Sequence, residues 1–275
     1  MDLKVHKIIP DIKWPHRIVD NFFTKEDLDW IRKSFDNGYR DIEKRYPNCF
    51  ENGKMKSYQE IELGVDGLTL NGRAPGLIER KGGRLILTGF SAYVPFWSTE
   101  RIYKVIDDIW KEATEIYPYK EDKNIRRKDF FSYLEFNIYP AGMSYTPHMD
   151  VHYKSFSGVV YIGNKGTGTT LMCGDKSMNI VWKNNRSVMF MNCDEERRNK
   201  KDLNDKLSTW HNYSNNTDEP RFTVNFNMTH PNKMVDLLSI ISQRDANLFQ
   251  SSKVTKEDMP TFGPIIIHQE KRKIK

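Results

Sequence analysis

The segment SYTPHMDVHYKS, residues 144–155, contains His148, Asp150 and His152 within five positions. Side chains two residues apart point to the same side of a β-strand, so an imidazole and a carboxylate here could hold one cation from a single strand. A third ligand would have to come from elsewhere in the chain. Two nitrogens and one oxygen leave coordination positions open, which suits non-haem Fe(II) and oxygen chemistry, whereas a structural zinc site is filled, usually by thiolates.

A histidine and an arginine follow much later in the chain. His211 comes just before a turn-like stretch, and Arg221 begins an alternating strand ten positions further on. Arg221 shares the polar face of that strand with Thr223. A guanidinium buried there needs an anionic partner, because an unpaired buried charge is costly. The carboxylate of a small ligand, held in a bidentate fork, would be such a partner.

The elements that must position these residues are mostly strands. From residue 130 onward polar and apolar side chains alternate, and a polar face opposite an apolar face recurs on several segments. This pattern predicts a sheet whose polar side lines a functional cavity and whose apolar side packs on helices. We therefore predict an α+β, mainly β fold with a double-stranded β-helix, or jelly-roll and cupin-like, core and flanking helices. The predicted strands are residues 130–139, 157–164, 178–183, 186–192 and 221–230.

Helices are predicted before and after this core in the sequence. Residues 22–38 form a helix with Thr24 as N-cap and Gly38 at its end, and residues 98–116 form another with an apolar stripe. Residues 233–249 are amphipathic, which predicts a helix that supports the barrel or forms a dimer contact.

The remaining segments are predicted to be irregular. Residues 40–82 read as loop with short strands, and the charged residues 194–209 as a surface loop. The predicted organisation is one catalytic domain. Residues 1–129 provide helices and loops that buttress the barrel, 130–230 form the core, and 231–275 form a C-terminal helix and basic tail.

The composition indicates a globular protein and argues against several other classes. The 275 residues are 38% hydrophobic and carry a net charge of +6, which indicates a globular chain and permits an acidic partner without requiring one. Cys49, Cys173 and Cys193 form no CxxC pair, which argues against a disulfide scaffold or a zinc knuckle. We find no signal peptide and no apolar run of bilayer length, so we expect a soluble, cytoplasmic protein without a membrane partner.

The run NIYPAGMSYTPHMD, residues 137–150, resembles a known signature. It matches N-x-Y-x-x-G-x-x-Y-x-x-H-x-D of the prolyl-4-hydroxylase-type Fe(II)/2-oxoglutarate-dependent dioxygenases. GVVYIGNKGTGTTLM and STWHNYSNNTDEPRFTV resemble the next and the closing segments of that family, so the resemblance covers roughly residues 130–229.

The resemblance implies a role for each matched residue. His148, Asp150 and His211 would bind Fe(II), and Arg221 would pair with the distal carboxylate of 2-oxoglutarate. Four further residues would line the cosubstrate site: Tyr139, Tyr145, Tyr161 and Thr223. The family pattern requires no ligand at His152, which we interpret as an exposed residue or one on the substrate side.

The implied reaction consumes 2-oxoglutarate and O2, releases succinate and CO2, and hydroxylates an unactivated C–H bond, with ascorbate as a reductant. Asp150 favours hydroxylation, because halogenating relatives lack the carboxylate. A prolyl-hydroxylase-like action on a peptide, protein or amino acid is the leading interpretation. The alternatives are a nucleic-acid base oxygenase of the same superfamily and a catalytically silent cupin-like binding protein. Both a monomer and a homodimer through the C-terminal helix remain open.

Overall fold

Two antiparallel β-sheets form the centre of the computed structural model, which describes residues 2–6, 9–45, 47–57, 78–81, 84–87, 99–117, 131–230 and 233. The larger sheet has the order β1 (Lys4–His6), β2 (His16–Asp20), β12 (Arg186–Met191), β9 (Phe156–Ile162), β14 (Arg221–Thr229) and β7 (Phe131–Tyr139). The smaller sheet has the order β11 (Lys176–Asn179), β10 (Thr170–Cys173), β13 (His211–Ser214) and β8 (Ser144–His148).

The chain alternates between these sheets. From β7 in the larger sheet it passes to β8 in the smaller one, returns to β9, and repeats this crossing through β10, β12, β13 and β14. Such alternation winds two sheets into a double-stranded β-helix, so the predicted jelly-roll core is confirmed. β1 and β2 extend the larger sheet beside β12, which shows that the segment before residue 130 supplies strands as well as helices.

Two long helices pack on the larger sheet, α1 (Lys25–Arg45) and α2 (Thr99–Ile116). A short helix, α3 (Glu195–Lys200), follows β12, and a short 3-10 helix spans Pro47–Cys49. The apolar face of β14 meets α1, where the Phe222 ring lies 5.3 Å from that of Phe35 and 6.1 Å from that of Tyr39. The stripe predicted on α2 is buried, as expected for a helix that covers a sheet: Ile102, Ile106, Ile109 and Ala113.

Small hairpins pair β3 (Phe50–Glu51) with β4 (Lys54–Met55) and β5 (Ile78–Lys81) with β6 (Arg84–Leu87).

The start of α1 agrees with the prediction and its end does not. Thr24 caps the helix, because its Oγ1 accepts a hydrogen bond from the Asp27 backbone N–H at 3.2 Å. The helix then runs through Gly38 to Arg45. A glycine inside a helix costs only about 1 kcal/mol, and Tyr39, one residue further, contacts both Phe222 and Phe50. Tertiary packing therefore outweighs the local stop signal.

Two other predictions are corrected. The strand predicted over 178–183 is observed as β11, which ends at Asn179. Residues 180–183 leave the sheet, so that the Trp182 ring stacks on Tyr161. The predicted loop 194–209 contains α3, because the Asp194 side chain caps it by accepting from the Arg197 backbone N–H.

Several predictions lie outside the described residues. These include the helix over 233–249, apart from Lys233, the basic tail, and most of 58–98. Among the described helices none has the length and apolar character needed to cross a bilayer.

Candidate active site

A three-residue cluster with metal-binding chemistry lies between the two sheets. The potential ligand atoms of His148, Asp150 and His211 all lie within 4.8 Å of one another. His211 is the first residue of β13 and pairs directly with His148, the last residue of β8, so that their ring centroids are 4.3 Å apart. The antiparallel register thus brings together two histidines that are 63 positions apart in the sequence.

Asp150 reaches the cluster from outside a strand. β8 ends at His148, where its partner β13 begins, so Asp150 and His152 do not continue that strand. Beyond that pair no ladder hydrogen bond extends the strand. Asp150 is held instead by Ser157, whose hydroxyl donates to Asp150 Oδ2 at 2.5 Å. His152 lies in the following turn, exposed and outside the cluster, with its ring 5.6 Å from that of Tyr153.

Hydrogen bonds orient both imidazoles toward one point. His148 Nδ1 lies 3.0 Å from the Thr146 carbonyl oxygen, and His211 Nδ1 lies 3.0 Å from the Thr209 carbonyl oxygen. A carbonyl can only accept, so each Nδ1 carries a proton and Nε2 is the nitrogen left to bind a metal. Metal-binding histidines are commonly oriented in this way, with the ring nitrogen that does not bind the metal donating to a backbone carbonyl.

The carboxyl of Asp150 is ionised. Burial opposes ionisation, but Lys154, His211, His148 and the Ser157 hydrogen bond outweigh it and hold the pKa of Asp150 well below its usual range. The Lys154 ammonium lies 3.9 Å from Asp150 Oδ1. Two imidazoles and one carboxylate fit a divalent ion such as Fe(II) that keeps open coordination positions, and the cluster contains no thiolate of the kind that structural zinc sites use.

Arg221 lies at the start of β14 and is almost completely buried, at 2% exposure. Its Nε donates to the Thr167 carbonyl at 2.9 Å, and its Nη2 lies 3.4 Å from Thr169 Oγ1. Among the described residues no carboxylate forms a salt bridge with it. A buried guanidinium without an acidic neighbour has the charge and the free N–H groups to bind an anion.

Aromatic rings surround this guanidinium. Its central carbon lies 4.2 Å from the centre of the Tyr213 ring, 5.3 Å from that of Tyr139, and 5.8 Å from those of Tyr161 and Trp182. Sequence reasoning did not identify Tyr213. The signal was present, because Tyr213 follows His211 by two positions and therefore lies on the same face of β13.

The remaining predicted residues occupy defined places. The Tyr161 hydroxyl accepts a hydrogen bond from the Thr169 backbone N–H at 2.7 Å, and burial raises the pKa of Tyr161 against the opposing effect of Arg221. Thr223 is fully buried opposite Tyr161. The Tyr145 ring packs edge-on against His148 at 4.0 Å and lies 6.2 Å from Tyr213. Tyr145 and Tyr213 therefore connect the metal cluster with the guanidinium.

No protein-family model and no curated protein match this sequence. Among solved structures, the chain is similar to a prolyl-4-hydroxylase from Pseudomonas putida, with a TM-score of 0.42, 10% identity, and 79% of this chain and 94% of that chain covered. It is similar to a viral collagen prolyl hydroxylase from Paramecium Bursaria Chlorella virus-1, solved with 2-oxoglutarate, with a TM-score of 0.42, 12% identity and 79% and 97% coverage. A Trichoplax adhaerens prolyl hydroxylase, bound to a hypoxia inducible factor peptide, aligns with a TM-score of 0.42, 12% identity and 88% and 89% coverage. Similarities of this strength concern the path of the backbone, so function has to be inferred from the site itself.

Proposed function

We propose that this protein is an Fe(II)- and 2-oxoglutarate-dependent dioxygenase that hydroxylates an unactivated C–H bond. The observation that carries the proposal is the pairing of an open metal cluster with a buried guanidinium that has no acidic partner among the described residues. His211 and Tyr213 link the two, because they lie two positions apart on β13 and Tyr213 covers Arg221. Two residues of a strand span about 7 Å, a distance that a five-carbon dicarboxylate suits.

The metal would be held by Nε2 of His148, Nε2 of His211 and the carboxylate of Asp150. Bound Fe(II) supplies the redox chemistry that couples decarboxylation of 2-oxoglutarate, giving succinate and CO2, to transfer of one oxygen atom of O2 into the substrate. The chain contributes the ligands in the required protonation states. The Lys154 ammonium and the Ser157 hydroxyl support the ionised carboxylate of Asp150, and the Nδ1 of each imidazole is oriented toward a backbone carbonyl.

Arg221 would bind the distal carboxylate of 2-oxoglutarate through its fork of N–H groups. The Thr167 carbonyl holds its Nε, and the surrounding rings exclude water, which strengthens the ion pair. The Tyr161 hydroxyl accepts from Thr169 and keeps its own proton to donate to the same carboxylate. Tyr139, Tyr145 and Thr223 would complete the wall of the cosubstrate site.

The substrate class that we propose is a prolyl or other residue of a peptide, or a free amino acid. The resemblance of residues 137–150 to the prolyl-4-hydroxylase signature supports it. The base-oxygenase alternative is disfavoured, because the DNA-dealkylating branch of the superfamily usually carries an additional pair of arginines after the distal histidine. Here β14 continues from Arg221 with Thr223, Asn225 and Asn227. A catalytically silent binding protein is disfavoured, because the three candidate metal ligands and Arg221 are all present.

An anaerobic titration with Fe(II) and 2-oxoglutarate tests the reaction class. We expect a weak visible charge-transfer band and, on admission of O2, formation of succinate. Both signals should disappear in Asp150→Ala and Arg221→Ala and persist in His152→Ala, the matched control beside the cluster. A mass-spectrometric search for +16 Da products in peptide, amino-acid and nucleoside pools then identifies the substrate. If the protein bound 2-oxoglutarate but formed no succinate with any of these pools, the proposal that it is an enzyme would be contradicted.

A further inference from the structure

A buried polar pair lies behind Asp150. Ser157, near the start of β9, and Asn192, directly after β12, are each 2% exposed. The Ser157 Oγ lies 2.5 Å from Asp150 Oδ2, and the Asn192 Nδ2 lies 3.2 Å from Ser157 Oγ. Neither residue belongs to the ligand cluster or to the surroundings of Arg221.

The two hydrogen bonds run in one direction. The Ser157 hydroxyl donates to Asp150 Oδ2, which uses its single hydrogen. That hydroxyl can then only accept from Asn192. The second hydrogen of the Asn192 amide is donated to the Lys154 carbonyl at 2.8 Å, which determines which way the amide faces. The order is therefore Asn192 to Ser157 to Asp150.

Ser157 is anchored more firmly than the carboxylate it contacts. It lies in the middle of the larger sheet, paired with Phe190 on β12 and with Asn227 on β14. Asn192 is fixed as well, because its backbone N–H donates to the Ser155 carbonyl at 2.9 Å. Asp150, in contrast, lies in the connection between β8 and β9, where no strand pairing holds it. The Ser157 hydroxyl thus ties this connection to the sheet.

We propose that Ser157, oriented by Asn192, is a positioning residue that occupies Oδ2 of Asp150 and leaves Oδ1 as the single metal-binding oxygen. This inference rests on the proposed function. A carboxylate that bound through both oxygens would take one more coordination position, one that a two-oxygen chelating cosubstrate and O2 need. Residues that hydrogen-bond to metal ligands orient them in this way and tune the affinity for the metal.

A purely structural role makes a different prediction. A buried serine that only satisfies polar groups in the sheet would, when changed to alanine, lower stability and leave metal binding intact. Ser187 provides the matched control. It is fully buried on β12 of the same sheet and pairs with Val160, three residues from Ser157 along β9. Ser157→Ala and Ser187→Ala therefore remove the same atom at equal burial, but only the first removes the hydrogen bond to Asp150.

The experiment measures anaerobic binding of Co(II) to the full-length, metal-free protein by its visible absorption, with no turnover involved. We expect Ser157→Ala to weaken Co(II) binding about 10- to 100-fold and to change the band shape, with Ser187→Ala within about twofold of wild type. Thermal unfolding of the metal-free variants checks that both are folded. Asn192→Ala, which leaves the hydroxyl present but free to rotate, should lose affinity in the same direction.

The outcomes separate the two levels of inference. If wild type binds Co(II) and Ser157→Ala binds it equally well, the positioning role is wrong and the proposed function is unaffected. If Ser157→Ala does not fold, unchanged Co(II) affinity in Asn192→Ala overturns the positioning role in its place. If wild type binds no Co(II), the proposed function itself is overturned.

Discussion

The Arg221 guanidinium carbon lies 4.2 Å from the centre of the Tyr213 ring. Tyr213 in turn shares β13 with His211, so one strand carries both a residue of the candidate metal cluster and the ring that covers the buried guanidinium. Contact between a cation and the face of an aromatic ring is attractive and strengthens when water is excluded. This pair physically couples the two halves of the proposed active site.

Removal of the Tyr213 ring should weaken binding of 2-oxoglutarate more than removal of its hydroxyl. For Tyr213→Leu we expect a loss of about 1 kcal/mol, roughly fivefold in Kd, because the cation–π contact disappears. Tyr213→Phe keeps the ring and should stay close to wild type. The Kd is measured anaerobically with the metal-loaded protein. Equal losses in both variants would show that the hydroxyl, and not the ring, holds Arg221.

Arg221→Lys tests whether the bidentate fork is required. Lysine keeps the positive charge but cannot donate in the planar geometry that matches a carboxylate. We expect a loss of about 3 kcal/mol, roughly 100-fold in the Kd of 2-oxoglutarate, with Co(II) affinity unchanged. Binding as tight as in wild type would mean that the dicarboxylate lies elsewhere.

Gly168 should tolerate no side chain. A Cβ at this position would lie 1.6 Å from the Ile180 carbonyl oxygen, which belongs to the backbone and cannot move aside cheaply. Gly168→Ala should therefore destabilise the fold by about 3 kcal/mol and displace Thr169 from the Tyr161 hydroxyl.

Gly163→Ala is the control for that change. Gly163 has a φ of +95°, but a Cβ added there would meet no other atom within 4 Å, so only backbone strain of about 1–2 kcal/mol is expected. The comparison is made by urea unfolding. If Gly168→Ala lost less unfolding free energy than Gly163→Ala, the close approach of the backbone at Gly168 and Ile180 would be contradicted.

His16 should make stability fall in mild acid. Its Nδ1 donates to the Trp14 carbonyl at 2.9 Å, and its Nε2 accepts from the Ile9 backbone N–H at 3.1 Å, so protonation breaks a hydrogen bond. Burial, more than any other cause, lowers the pKa of His16. The unfolded chain takes up the proton near pH 6.5, while the folded chain does so only at lower pH.

His16 therefore stabilises the fold fully above pH 6.5, and this stabilisation is lost as the pH falls toward the lower pKa of the folded state. The free energy of unfolding should change by at most about 1.4 kcal/mol per pH unit in that range. His16→Gln should be less stable at pH 8 but show a flatter dependence between pH 7 and 5, measured by urea unfolding. His152→Gln, at an exposed position, should keep the wild-type slope. An unchanged slope in His16→Gln would rule out this histidine as the source.

The sequence by itself predicted which residues form the candidate site. The resemblance carried by residues 137–150 and by the later His211 named the three candidate metal ligands, and period-two alternation put Arg221 on the polar face of its strand. The structure brings His148, Asp150 and His211 together as predicted. The alternation of short strands likewise predicted the jelly-roll core.

Tertiary structure decided what local patterns cannot encode. The register of β8 against β13 set His211 opposite His148, the contact of Tyr39 with Phe222 carried α1 past Gly38, and the sheet placed Ser157 against Asp150. Each of these three contacts depends on the spatial distance between residues of different secondary-structure elements. Such distances follow from the packing of whole sheets and helices, which can outweigh the approximately 1 kcal/mol preferences of single residues.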